Sequence, residues 1–147
     1  MEHEEYMRQA LELARLAMAE GEVPVGCVIV RDGAVVGRAR NRRETAQTAL
    51  GHAELEAIAQ ACRTLGGWRL AGCALYVTLE PCPMCAGAIV NARIPAVYYG
   101  AKDDKAGCCG SVLNLFEERF NHHPRIYGRV LEAECAALLQ EFFQSLR

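Results

Sequence analysis

One short stretch restricts the fold of this chain more than any other. Residues 77–90, VTLEPCPMCAGAIV, place Cys82 and Cys85 three positions apart behind Pro81, with no charge in the residues that follow. Two thiolates at that spacing supply half of a tetrahedral zinc shell, so the other donors must come from elsewhere in the chain. Donors are scarce. The four histidines are His3, in a terminus expected to fray, His52 in GHAEL, and the neighbours His122 and His123. The fold must therefore carry a distant residue to the turn that holds the cysteines.

Hydrophobic periodicity gives the elements that would do this. Met7, Leu11, Ala14 and Met18 fall on one face of a helix over residues 4–20, which Gly21 stops. VPVGCVIV reads as a strand, RDG as a hairpin turn and AVVGRA as the returning strand. Leu55, Ile58, Cys62 and Leu65 predict a second helix from His52 to Leu65, ended by Gly66-Gly67. CALYVTL is a strand, the segment after Pro83 a short helix and AVYYG another strand. A looser stretch, 101–125, precedes a last strand near Ile126–Val130 and a helix with Cys135, Leu138, Leu139, Phe142 and Leu146 as its apolar stripe. No repeat or linker interrupts the 147 residues, which predicts one domain. Alternating strands and helices predict an α/β fold with a central mixed sheet covered by helices on both faces.

Composition excludes several classes. The acidic start lacks the layout of a signal peptide, and no apolar run approaches the roughly 20 residues that span a bilayer. A cytoplasmic chain is expected, with no membrane partner. Eight cysteines do not make a disulfide scaffold here, because Cys27, Cys62, Cys73 and Cys135 sit in apolar surroundings and read as core residues. Net charge is −2, yet RDGAVVGRARNRR carries five arginines against one aspartate. Such a face suits phosphate as well as it suits a solvated hairpin.

His52 begins the helix after the hairpin, and Cys82 and Cys85 begin the helix after the next strand. If the strands before them are neighbours, both helix N-termini meet at one end of the sheet, and His52, Cys82 and Cys85 converge. Three donors leave a position open, as catalytic zinc sites do and structural ones do not. Helix N-termini favour the thiolate forms. Glu54 stands two residues past His52, within reach of water at such a site without being a ligand. Rival readings are a redox CxxC pair, for which thioredoxin-like context is lacking, and a structural four-cysteine site drawing on the adjacent Cys108 and Cys109, which would be strained. His52 as an ordinary core histidine leaves Glu54 and PCxxC without a purpose. Glu80, just before Pro81, reads as a structural carboxylate.

HAE with PCPMC resembles the zinc-dependent cytidine and nucleobase deaminases. EVPVGCVIV, NRRET, HAELEAI, WRLAGCALYVTLEPCPMCAGAIV, FNH and ECAALLQEFF extend the likeness to the bacterial tRNA-specific adenosine deaminases over nearly the whole chain. Gly51 departs from the alanine common before that histidine, which would loosen the helix start. The resemblance implies a three-layer α-β-α cytidine-deaminase-like fold with five strands and one Zn2+ per subunit. It further implies a homodimer and hydrolytic conversion of adenosine to inosine at the wobble position of a tRNA anticodon stem-loop. Glu54 would shuttle protons, and the N–H groups near Ala53 and Cys82 would orient the water. Asn41 would bind the base, Val23 and Pro24 would line the pocket mouth, Asp103 and Lys105 would meet the flanking sugar–phosphate, and Phe142 and Phe143 would shape the pocket. Arg42, Arg43, Lys102 and Arg125 are further candidates for phosphate. The alternative is a deaminase of free cytosine, guanine or cytidine with the same metal site. A catalytically silent zinc-stabilised RNA-binding module would have no use for Glu54.

Overall fold

The computed structural model describes residues 2–146. Its elements run α1 (Glu2–Ala19), β1 (Gly26–Arg31), β2 (Ala34–Arg40), α2 (Ala53–Leu65), β3 (Cys73–Leu79), α3 (Pro83–Asn91), β4 (Ala96–Ala101), β5 (Arg125–Tyr127) and α4 (Glu132–Ser145), with a 3-10 turn at Leu115–Glu117. Gly21 ends α1 with φ +82°, and Gly66 caps α2 in the left-handed region while its N–H bonds to the Cys62 carbonyl. Asp32 and Gly33, both at positive φ, make the hairpin turn. No helix among the described residues is long and apolar enough to cross a membrane.

The sheet is five-stranded in the order β2-β1-β3-β4-β5, antiparallel on the hairpin side and parallel from β3 to β5. Strand alternation divides the core. Cys27, Ile29, Leu75, Val77 and Val97 face α2 and α3, whereas Val28, Val30 and Tyr76 face α1 and α4 with Met7, Leu11 and Leu138. Each fully buried Leu, Ile or Met contributes about 1.5–3 kcal/mol, enough to fix the register of both faces. α1 lies hard against β1: a Cβ at Gly26 would run into the Ala10 carbonyl oxygen.

Three details differ from the sequence reading. β2 and β3 are not neighbours, because β1 lies between them. Both run antiparallel to β1, so they point the same way and end at the same edge, with Arg40 opposite Gly26 and Val77 opposite Cys27. The two helices still start from one end of the sheet, for a different reason. The last strand stops at Tyr127, so residues 128–130 lie outside it. His3 is held within α1, where its Nδ1 lies 2.7 Å from the Tyr76 hydroxyl and its ring stacks on Tyr98 at 4.5 Å.

Candidate active site

β2, β3 and β4 deliver their C-terminal ends to one edge, where α/β sheets place ligands. Here His52 is the N-cap of α2 and Cys82 the N-cap of α3, with Pro83 following as the first helical residue. Neither side chain makes a capping hydrogen bond. A serine or aspartate at either place would add about 1 kcal/mol to the helix, so both positions forgo local stability. Cys85, fully buried, sits one turn inside α3.

The three donors meet. His52 Nδ1 lies 3.6 Å from Cys82 Sγ and 3.5 Å from Cys85 Sγ, and all three atoms fall within 4.8 Å of one another. Bond lengths of about 2.0–2.1 Å to nitrogen and 2.3 Å to sulfur, at a tetrahedral angle, separate S from N by about 3.5 Å. The donor set therefore fits a soft-ligand cation such as zinc in both chemistry and spacing. No fourth His, Cys, Asp or Glu joins the group among the described residues. The Cys85 thiol, with His52 adding to the pull, draws Cys82 far below the thiol range, and Cys82 together with burial lifts Cys85 above it.

Glu54, 4% exposed, stands in the first turn of α2. Burial raises its carboxyl above the ordinary range, opposed by its own backbone N–H; the Cys82 charge raises it further and His52 lowers it. The residue is a buried carboxylate beside the donor group and outside it.

A cavity of about 550 Å³ opens above these residues. Of the residues expected there, Val23, Asn41, Ala53, Asp103, Lys105 and Phe143 line it. Pro24 does not: it is buried, and Val25 takes its place beside Val23, as the period of extended chain dictates. Phe142 does not either. It is 8% exposed and packs edge-on to Phe143 at 5.3 Å, supporting the residue that reaches the cavity. The helical period could have separated the two, since Cys135, Leu138 and Phe142 make the buried stripe while Leu139 and Phe143 share the cavity face. Asn41 is held by donating to the Val23 carbonyl at 3.2 Å and accepting from the Arg43 N–H at 3.3 Å. It closes the strand and faces the cavity at once.

Two buried carboxylates staple the rim. Glu80 accepts the N–H groups of Asp103 (3.1 Å), Cys109 (2.9 Å) and Ser111 (3.1 Å) together with the Ser111 hydroxyl. It is a structural carboxylate, and a Cβ on Gly107 would strike it. Glu22, which the sequence reading did not single out, accepts from the Glu44 N–H (3.1 Å), the Thr45 N–H (2.6 Å) and the Thr45 hydroxyl (2.7 Å). Asp103 turns its own loop by accepting from the N–H groups of Lys105 and Ala106, both at 3.1 Å. Gly51 tightens the rim, since a Cβ there would come within 2.9 Å of the Arg43 Cα. That glycine permits the close approach. Of the remaining basic candidates, Arg43 and Lys102 line the cavity. Arg42 does not, and Arg125 pairs with Ala96 at the opposite end of β4.

The model of the MafB19-like deaminases matches residues 1–147. The tRNA-specific adenosine deaminase of Bacillus subtilis (strain 168) is 52% identical over 143 residues, which cover 97% of this chain and 89% of that one. A solved structure from work on A-to-I editing by tRNA:A34 deaminases at the wobble position of transfer RNA superposes with a TM-score of 0.87 at 45% identity, covering 91% of this chain and 98% of that one. Guanine deaminase from Bacillus subtilis superposes with a TM-score of 0.68 at 34% identity, covering 98% and 95%. With agreement in sequence and fold over nearly the whole chain, the chain belongs to the MafB19-like deaminase family and, within it, to the tRNA-specific adenosine deaminases.

Proposed function

We propose that the protein hydrolyses adenosine to inosine at the wobble position of tRNA anticodon loops, with one zinc ion per chain held by His52, Cys82 and Cys85. The observation that carries this reading is the open three-donor group with the buried Glu54 carboxylate beside it, under a cavity rimmed by Arg43, Lys102 and Lys105. Zinc bound there supplies a Lewis acid that brings the pKa of water toward 7.

The remaining work falls to the chain. Glu54 takes a proton from the attacking water and passes it to the ring nitrogen next to C6. Glu54 then takes the remaining proton of that oxygen, now bonded to C6, and delivers it to the amine, so the C6–N bond breaks and the C6 carbonyl forms. Water and adenosine thus become inosine and ammonia. The Ala53 N–H, at the uncapped start of α2, is free to orient the oxygen. Asn41, pinned on both sides, keeps one amide hydrogen and one carbonyl lone pair for the edge of the base. Val23, Val25, Leu79 and Phe143 offer apolar walls to the purine.

A base inside a stack cannot enter such a cavity, so the substrate is a splayed loop nucleotide. Arg43, Lys102 and Lys105 meet the phosphates on either side of it, and the free carboxylate oxygen of Asp103 meets a ribose hydroxyl. Action on tRNA fits a cytoplasmic protein, and the family resemblance implies a homodimer, which light scattering would read as twice the chain mass.

The likeness to guanine deaminase keeps a second reading in view, a free-base deaminase with the same donors. A free base, however, has no phosphates for Arg43, Lys102 and Lys105 to meet. Incubating the purified protein with anticodon stem-loop RNA, and separately with free guanine, adenine and cytosine, separates the two. Inosine in the RNA is the expected result. Ammonia from a free base with no inosine in the RNA would overturn the proposal.

A further inference from the structure

Beside the catalytic cavity lies a groove of about 400 Å³ that the deamination chemistry does not use. Arg38, Arg40, Arg42 and Arg63 line it, and Glu56 is the one carboxylate among its lining residues. Three of the arginines come from the edge strand β2 and its exit, the fourth from the last turn of α2. The same segment serves both sites: Asn41 and Arg43 line the cavity, Arg38, Arg40 and Arg42 the groove. The groove therefore leads away from the catalytic site along the sheet edge.

Its charges are only partly compensated. Arg40 forms a two-point ion pair with Glu20 at 2.7 and 2.9 Å, and Arg42 lies 3.8 Å from Glu56. Among the described residues, no carboxylate lies within 4.0 Å of Arg38 or Arg63. Two exposed guanidiniums with no carboxylate partner in one groove suit a phosphate oxyanion. A β-strand partner fits poorly, because the Arg38 N–H, which an added strand would need, already donates to Gln60 Oε1 at 2.6 Å.

We infer that this groove binds the phosphodiester backbone of the RNA strand leading to the edited nucleotide. The reach agrees. From Arg38 to Arg42 the extended chain covers roughly 13 Å, long enough to meet more than one backbone phosphate. The inference rests on the proposed RNA substrate and extends its contacts beyond the cavity.

The test compares wild type with Arg38→Ala/Arg63→Ala, reading binding of a fluorescent anticodon stem-loop by anisotropy across a salt series. Losing one or two phosphate contacts lowers the slope of log K against log salt by about 1–2. KM for the same RNA rises several-fold at low salt, and kcat stays unchanged. The Arg38→Lys/Arg63→Lys variant keeps the charge and restores most of the slope, which separates a Coulombic contact from a folding defect. Wild-type slope and KM in the alanine variant would overturn the inference. Anisotropy needs no turnover, so absence of inosine would sink the deamination reading while leaving this arm readable.

Discussion

The floor of the cavity and its rim are built on different principles. His52, Cys82 and Cys85 stand on two helix starts against a buried core, and Glu54 follows within the same first turn. The rim comes from the approach to β1, the segment after β2, the loop after β4 and the last helix, and its two loops hang from Glu22 and Glu80. The floor takes its precision from secondary structure and the rim from single carboxylates that gather backbone N–H groups. Chemistry should therefore respond to changes in the floor, and recognition to changes in the rim.

Cys85→Ala tests that division most severely. Metal content should fall from about one ion per chain to none and turnover should vanish, while anisotropy still shows the stem-loop bound. Loss of RNA binding in parallel would merge floor and rim into one unit. Next in size is Phe142→Ala, expected to cost about 3 kcal/mol in denaturant unfolding, because a buried ring is removed from under the rim. Glu80→Gln should cost about 1–3 kcal/mol, since an amide nitrogen would face donors that now bond to a carboxylate. Its KM for RNA should rise more than its kcat falls; the reverse split would move Glu80 into the chemistry.

Acid should loosen the other staple. Burial alone would raise the Glu22 carboxyl, but the Thr45 hydroxyl and the N–H groups of Thr45 and Glu44 outweigh it and hold the pKa below its ordinary 4.5. A depressed folded pKa means that the contribution is complete above the ordinary value and is lost as pH falls through the folded one. Wild type should thus melt higher than Glu22→Gln at neutral pH, and the two melting curves against pH should converge in acid. Parallel curves would remove Glu22 as an ionised staple. The smallest change is Phe143→Ala, expected within about 0.5 kcal/mol of wild-type stability with a raised KM, because the ring is 49% exposed and faces the cavity.

The same division decides what the sequence disclosed. The site comes in two halves, each local in sequence: Cys82 and Cys85 share one helical turn and Glu54 stands two residues past His52, so residue type and spacing marked both halves although 30 positions separate His52 from Cys82. Strands and helices followed from periodicity, apart from the last strand, whose three residues carry too little pattern. The rim was harder because its residues are common and its partners remote. Nothing near Glu22 announces Thr45, 23 positions away, and nothing near Arg125 says that β4 carries it to the far end of the sheet. Strand order was the other hidden quantity, since the hydrophobic pattern of the hairpin does not say which of its strands β3 will join. The alternation that turns Pro24 away from Val23 was readable in principle, as was the helical phase dividing Phe142 from Phe143.

The measurement closest to the central claim is metal content and inosine formation determined together for Glu54→Gln. A proton carrier outside the coordinating group leaves about one zinc per chain and lowers the rate about 10²–10⁴-fold. A variant that loses the metal would make Glu54 a ligand, and one that keeps wild-type turnover would leave the proton transfers without a carrier; either result contradicts the account.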